Sequence, residues 1–300
     1  MIRIVTDSSV NLPTGLVERF RISVVPLNVH FGEEQFQEGV NISEDEFYRR
    51  LPESRPLPTT SQPAAGQFQD IYKASLSQGG EVLSVHLSSR LSGTYASAAT
   101  ARSMLREAPI TLLDTGTVSV GLSMLVLAAA QAAELGWSCE AIVGLLEKMA
   151  ARTIIFFTVD TLEYLHRGGR IGTASAWMGT LLQVKPLLAI RQGEVLPIDR
   201  VRTRKRAVRR LLDLLAEHSA GADSWWAGVA HAKAEQEAGR FGNDIIRELP
   251  VAAVIQVGVG PVVGAHGGIG TLGAALTPDP ATFGVDFPPF SVILGENVHE

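Results

Sequence analysis

Three hydroxyl side chains lie in a row in the segment Thr59-Thr60-Ser61, which has prolines at positions 58 and 63. The prolines favour an extended or turn conformation here. Hydroxyls and backbone N–H groups in such a segment can bind an anionic head group. Capping of a helix predicted over residues 64–76 explains one of the hydroxyls equally well. The sequence therefore leaves both roles open for Thr60 and Ser61.

A second polar segment, residues 88–94, contains Ser92-Gly93-Thr94 and follows a strand predicted over residues 81–87. A predicted helix begins here and runs to about residue 105. The first N–H groups of a helix lack partners within the helix and carry the positive end of its dipole. Because Gly93 also lets the backbone approach a ligand closely, this segment suits a carboxylate or a phosphate. The Gly-Lys-Ser/Thr ending of a nucleotide-binding P-loop is absent, which gives nucleotide binding little support.

His266 lies in the glycine-rich segment 258–270, which follows a strand predicted over residues 251–257. A lone histidine in an apolar setting is usually a satisfied core residue. A glycine loop offers no packing reason for one, so we predict that His266 hydrogen-bonds a ligand. The ring would act either as a neutral donor to a carboxylate or, at lower pH, as an imidazolium.

Arginines form two further groups. Arg167 and Arg170 flank Gly168-Gly169, and the densest basic run of the chain is Asp199–Arg206. Both could be ordinary solvated segments. Paired arginines with glycine spacing favour contact with an anion or a partner, and the basic run could dock an acidic partner.

The polar segments follow predicted strands in an alternating pattern. In the first half, strands are predicted over residues 2–6, 23–30, 81–87 and 110–114, with helices between them and an Ala-rich helix ending at Leu135. Ser43 and Glu46 have the spacing of a capping box at the start of one helix. This alternation indicates a mainly parallel sheet flanked by helices, in which ligands bind beyond the carboxyl ends of the strands.

The pattern changes near residues 151–158, so we predict two α/β domains, residues 1–157 and 158–300, the second with a mixed sheet. Its predicted strands cover residues 153–159, 187–190, 195–201, 225–230 and 251–257, and its helices cover 174–182, 204–218 and 235–248. A hairpin turn is predicted at Gln192-Gly193. The run 290–294 could add an edge strand.

Composition excludes several classes of protein. Hydrophobic residues make up 46% of the chain and charged residues 19%, with a net charge of -5, so the basic surplus of a nucleic-acid-binding protein is missing. Cys139 is the single cysteine, and no Cys/His cluster has zinc-site spacing. We expect no metal. Because no signal sequence or bilayer-length apolar run is present, we also expect a cytoplasmic protein.

These segments, in this order, resemble the DegV family. The resemblance covers most of the chain and includes Ile4-Val5-Thr6-Asp7-Ser8, Val25-Pro26-Leu27, Thr60-Ser61-Gln62-Pro63, Ser92-Gly93-Thr94-Tyr95, Val159-Asp160-Thr161-Leu162-Glu163-Tyr164-Leu165, Gly168-Gly169-Arg170-Ile171, Lys185-Pro186 and Val201-Arg202-Thr203. It implies two α/β domains with a long-chain fatty acid, such as palmitate, stearate or oleate, buried in a slot between them. No other cofactor is implied.

The resemblance also implies roles for individual residues. The ligand carboxylate would be held by Thr60, Ser61, Ser92, Gly93 and His266. In bacteria with a fatty-acid kinase, such a protein is the acyl-carrying subunit and not an enzyme. Arg170 and Arg202 would contact the kinase or the phosphorylated head group, and transient contact with a membrane surface is compatible with this role. Family members usually have Gly-Pro-Gly shortly after the histidine, whereas this chain has Gly267-Gly268-Ile269-Gly270.

A serine hydrolase that acts on acyl substrates is the main alternative, with a triad of Ser92, His266 and an aspartate such as Asp7. The sequence around Ser92 lacks the Gly-x-Ser-x-Gly elbow of many hydrolases. Asp7 belongs to Thr6-Asp7-Ser8-Ser9, which is better explained as a helix cap or an Asx turn. A nucleotide-dependent enzyme that acts alone is a third reading.

Overall fold

The computed structural model describes residues 1–77, 79–179, 184–220, 224–285 and 287. Its strands are β1 (Ile2–Asp7), β2 (Ser23–Val25), β3 (Asn28–Phe31), β4 (Glu34–Gln37), β5 (Thr59–Ser61), β6 (Glu81–His86), β7 (Ile110–Asp114), β8 (Ile154–Thr158), β9 (Lys185–Arg191), β10 (Glu194–Val201), β11 (Trp225–His231), β12 (Val251–Gly258) and β13 (Leu272–Pro278). Its α-helices are α1 (Thr14–Arg19), α2 (Glu44–Arg50), α3 (Ala65–Leu76), α4 (Thr94–Met104), α5 (Ser119–Glu134), α6 (Cys139–Arg152), α7 (Glu163–Arg167), α8 (Arg204–Ser219), α9 (Glu235–Glu248) and α10 (Pro261–Gly267).

The first domain is built on a four-stranded sheet in the order β2-β1-β6-β7. All three strand pairs are parallel, which confirms the prediction from the alternating pattern. The carboxyl ends of β1 and β6 lead into the polar residues after Asp7 and His86. Ser43 accepts a hydrogen bond from the N–H of Glu46, as predicted for the start of α2.

The second domain contains a mixed six-stranded sheet in the order β10-β9-β8-β13-β11-β12. Only β11 and β12 are parallel among its described pairs. The predicted hairpin joins β9 to β10, and φ is 50° at Gln192 and 75° at Gly193, as a type I′ turn requires. Because β8 belongs to this sheet, a division between the sheets falls just before Ile154. The boundary at residue 157 stays a prediction.

A helix between the two sheets joins the domains. Helix α5 packs against β1 of the first sheet and against β11 and β13 of the second. Its residues from Ser119 to Ala132 are all buried. Because α5 is covered by a sheet on each of two sides, no side of it faces water. This explains why the sequence of α5 shows no polar stripe.

Some predictions of local structure were wrong. The strand predicted over residues 23–30 is interrupted at Pro26, and its two parts, β2 and β3, lie in different sheets. Proline lacks the N–H that a central strand needs, so the break falls there. β3 instead forms a small antiparallel sheet with β4 and β5. The helix predicted over residues 174–182 is a 3₁₀-helix over Gly172–Trp177 in its described part, and residues 180–183 and 290–294 lie outside the described residues.

Candidate functional site

A cavity opens between the carboxyl ends of the first sheet and one face of the second, and we call it the central cavity. The cavity and the open space at its mouth together comprise about 1000 Å³ that protein atoms do not fill. Most of its wall is apolar. Typical wall residues are Val118, Val120, Ile155, Phe157, Ala230 and Val259. These apolar surfaces suit a hydrocarbon chain, because a polar ligand group placed against them would lose its hydration without gaining a hydrogen bond.

Polar side chains are also part of the wall of the central cavity. They include Thr60, Ser61, Gln62, Ser92, Arg170 and His266. Gly93 does not line the cavity but lies against one of these side chains, because a Cβ atom at this position would be 3.1 Å from Cδ of Gln62. Arg202 is exposed after β10 and does not line the cavity. The fold thus brings together most of the predicted site residues and leaves Arg202 outside.

A hydrogen bond between Thr60 and His266 connects the two domains at the cavity. The Oγ1 atom of Thr60 lies 2.9 Å from Nε2 of His266. Burial and, to a smaller extent, the positive charge of Arg170 lower the pKa of His266 from 6.5 to about 4. The ring is therefore neutral at physiological pH. This favours the first of the two protonation states considered from the sequence, a neutral hydrogen-bonding group.

The backbone around His266 differs from the prediction. His266 lies on α10 and not in a glycine loop, so that part of the prediction was wrong. Gly268, with φ of 76°, ends the helix in a conformation that other residues rarely adopt. The helix directs the ring toward Thr60 of β5. Nδ1 of His266 is buried and has no hydrogen-bond partner among the described residues.

Gly168 contacts the other side of the His266 ring. A Cβ atom at Gly168 would lie 2.1 Å from Nδ1 of His266, which is far shorter than any real contact. Arg170 reinforces this arrangement, because its Nη1 donates to the carbonyl of Gly168 at 2.7 Å and its Nε donates to the carbonyl of Leu91 at 3.0 Å. Gly168 was not among the site residues predicted from the sequence. The only feature of the sequence that could have drawn attention to Gly168 is its position between Arg167 and Arg170.

The remaining hydroxyls are held by local hydrogen bonds. Ser61 lies 3.0 Å from Nε2 of His30 and accepts from Nδ2 of Asn28 at 3.2 Å. The Oγ atom of Ser92 lies 2.9 Å from Oγ1 of Thr94 at the start of α4. Both hydroxyls are thereby held in fixed orientations, which would reduce the entropy lost on binding any ligand at this position.

A hydrolase triad would require Asp7 to hydrogen-bond His266, but Asp7 contacts a different histidine. Its Oδ2 atom lies 2.9 Å from Nδ1 of His86, and Nε2 of His86 lies 2.6 Å from Oγ of Ser84. This Asp-His-Ser chain is fully buried, out of reach of any substrate. Asp7 also accepts from the N–H of Ser9, which is the predicted Asx turn.

The hydrolase triad predicted as the alternative is thus not assembled among the described contacts. Asp7 bonds His86, Ser92 bonds Thr94, and His266 bonds Thr60. The part of the chain that the structure describes contains no cluster of His, Cys, Asp or Glu that could hold a metal ion. Within the same residues, no helix is both long enough and apolar enough to span a bilayer.

The fold and the cavity define a class of protein: two α/β domains around an apolar cavity whose wall also carries neutral hydrogen-bonding groups and one arginine. A family model described as an uncharacterised protein of the DegV family matches residues 1–279. The chain therefore belongs to the DegV family, which confirms the resemblance seen in the sequence.

Individual relatives cover nearly the whole chain. A DegV domain-containing protein of Halalkalibacterium halodurans is 38% identical over 273 residues, covering 91% of this chain and 96% of that protein. A DegV family protein from Thermus thermophilus, whose solved structure is described as showing fatty-acid binding, has a TM-score of 0.86 and 34% identity, covering 93% of this chain and 99% of that one. A stearic acid-binding protein from Eubacterium ventriosum has a TM-score of 0.88 and 28% identity, covering 94% of this chain and 100% of that one.

Proposed function

We propose that this protein binds a long-chain fatty acid in the central cavity, with the carboxylate at the polar side chains around Thr60 and His266. The observation that carries the proposal is the combination, in one cavity, of an apolar wall with Thr60, Ser92, Arg170 and His266. The family relatives described as fatty-acid-binding proteins support it. Palmitate, stearate and oleate are the ligands that we expect.

The energetics favour an acyl chain. Burial of hydrocarbon contributes about 0.8 kcal/mol per methylene, so a chain of roughly 16 carbons gains on the order of 10 kcal/mol before the cost of association. The carboxylate loses its hydration and needs hydrogen-bond donors in return. The hydroxyls of Thr60 and Ser92 can donate, and Arg170 supplies a positive charge. A neutral His266 adds a hydrogen-bonding group without the cost of burying a second cation.

Mass spectrometry of the purified protein under denaturing conditions tests this function directly. We expect a co-purified long-chain fatty acid, and binding of palmitate or oleate after delipidation. Thr60→Val should weaken palmitate binding by roughly ten- to 150-fold, since a hydrogen bond to a charged group contributes about 1.5–3 kcal/mol. Thr100→Val, at an exposed hydroxyl on α4, should bind as the wild type does. Absence of any bound fatty acid together with no uptake of either ligand would contradict the proposal.

We further propose that the protein is a carrier that presents the acyl carboxylate to a fatty-acid kinase, which supplies the ATP. Arg202 is exposed within the basic run Asp199–Arg206, outside the central cavity, in a position that a partner can reach. A cytoplasmic location and brief contact with a membrane surface fit this role.

Arg202→Ala should separate ligand binding from kinase coupling. We expect unchanged palmitate affinity, because Arg202 does not line the cavity, and a loss of at least tenfold in acyl-phosphate formation with a fatty-acid kinase. Lys148→Ala, which removes an exposed positive charge on α6, is the matched control and should change neither quantity. An equal loss of palmitate binding and kinase coupling would refute this division of roles.

A further inference from the structure

Glu38 is a buried carboxyl group that connects the two domains. It follows β4 in the first domain and is only 7% exposed. Its Oε2 atom accepts a hydrogen bond from the hydroxyl of Ser8, and its Oε1 atom accepts one from the N–H of Val262 at 3.0 Å. Ser8 belongs to the first domain and Val262 to α10 of the second. Since Ser8 already accepts from the N–H of Leu27, its own proton is available to Glu38.

The surroundings of Glu38 are shaped to admit its carboxyl group. A Cβ atom at residue 260 would lie 2.3 Å from Oε1 of Glu38, so only Gly260 permits this contact. Asp7 and Glu44 are the acidic groups that act on Glu38, and Ser8 and Val262 are its donors. Burial raises the pKa of Glu38 from 4.5 to about 7, despite the two hydrogen bonds that favour the ionised form. Burying this acid is unfavourable unless its oxygens are hydrogen-bonded, so the contacts with Ser8 and Val262 hold the carboxyl group in this position.

Glu38 acts on the same short helix that carries His266. Tyr48 of the first domain donates to the carbonyl of Val259 at 2.8 Å, just before α10 begins. Glu38 and Tyr48 thus fix the N-terminal end of α10 to the first domain. His266 is four residues beyond Val262, a distance of about 6 Å along a helix. A shift of the Val262 end is therefore transmitted to the imidazole and to its hydrogen bond with Thr60.

We infer that Glu38 is a positioning residue for the head-group site: by holding α10 against the first domain, it sets the distance between His266 and Thr60 at which a ligand carboxylate is bound. This inference rests on the proposed function. The inference goes beyond the proposed function because it assigns part of the selectivity for an acid head group to Glu38, a residue that does not line the central cavity.

The test compares two ligands with the same hydrocarbon chain, palmitate and hexadecanol. Glu38→Ala should raise the Kd for palmitate at least tenfold and the Kd for hexadecanol less than twofold, because only the acid needs the positioned head-group site. Glu38→Gln keeps an acceptor for the N–H of Val262 and should stay within threefold of the wild type for both ligands. Glu33→Ala, in the exposed turn between β3 and β4, is the control and should change neither Kd.

A second readout needs no ligand. In the delipidated protein, NMR signals of the His266 ring should move in Glu38→Ala and remain in place in Glu38→Gln. If Glu38→Ala does not fold, Ser8→Ala removes one of the two donors and should give a smaller change in the same directions.

The inference is overturned if the variants that remove the carboxyl contact leave the His266 signals unchanged, or if they weaken both ligands equally. A wild type that binds neither ligand would refute the proposed function instead, and the NMR comparison would still report whether Glu38 positions His266.

Discussion

Ala230→Phe is expected to abolish palmitate binding while the protein remains folded. Ala230 lies on β11 and its side chain lines the central cavity. A phenyl ring there occupies space that the acyl chain needs. Exclusion of about four methylenes costs roughly 3 kcal/mol, which corresponds to a Kd more than 100-fold higher. Because the ring enters a cavity, the loss of stability should be less than in a fully packed core, where added atoms cost about 1–3 kcal/mol.

Isothermal titration with palmitate and thermal unfolding of the delipidated protein check this result together. Ala151→Phe places the same ring at an exposed position near the end of α6 and should leave both measurements unchanged. Binding by Ala230→Phe within threefold of the wild type, in a folded protein, would show that the acyl chain does not occupy the central cavity.

Gly168→Ala is expected to displace His266 and weaken palmitate binding by roughly ten- to 100-fold. The new methyl group would lie 2.1 Å from Nδ1 of His266, so the ring must move away from its present position. The hydrogen bond to Thr60 is then lost, and a buried polar group without its partner costs about 1–3 kcal/mol. The backbone at Gly168, with φ of -75°, accepts alanine without strain, and the nearest atom to the new methyl group outside the His266 ring is the carbonyl oxygen of Tyr164 at 3.1 Å, so the clash with His266 dominates.

A double-mutant cycle with His266→Ala decides whether the effect acts through the imidazole. Once the ring has been removed, Gly168→Ala should have little further effect on the Kd. Gly144→Ala on α6, where a Cβ atom meets nothing within 4 Å, is the matched control. If Gly168→Ala weakens binding equally in both backgrounds, the contact with His266 is not the cause.

Much of the fold could be predicted because local patterns and tertiary packing agree. The strands β1, β6 and β7 lie where short β-rich runs alternate with helical segments, and the turn at Gln192-Gly193 has the residues that its backbone requires. The amphipathic helices α8 and α9 were predicted with nearly correct ends, since each buries one face on the second sheet.

The elements that escaped prediction depend on distant partners. β13 contains Gly273, Ala274 and Ala275, which have low β-propensity, and it is a strand because β8 and β11 pair with it on both sides. The helix α10 was also missed, because it contains glycines, which have low helix propensity. For α6 no bounds were predicted, although its signals are local: Ser138 caps it and its apolar residues have helical spacing.

The candidate site shows the same limit. The polar segments that contain Thr60, Ser92 and His266 could be singled out by residue type and by their place after strands. Glu38 could not, and Gly168 was marked only by its position between two arginines, because the roles of both residues lie in contacts with α10 and with the His266 ring, far along the chain. Arg202 stays a prediction, as does its contact with a kinase.

The position of α5 has a consequence for how the molecule holds together. One surface of this helix covers the first sheet and another covers the second, so each sheet relies on the same helix to shield its apolar side chains from water. In a fragment ending near residue 157, the surface of α5 that packs on the second sheet would be exposed to water. In the remaining fragment, the face of the second sheet that packs on α5 would be exposed. We therefore expect the two domains to depend on each other for folding, although each has a sheet of its own.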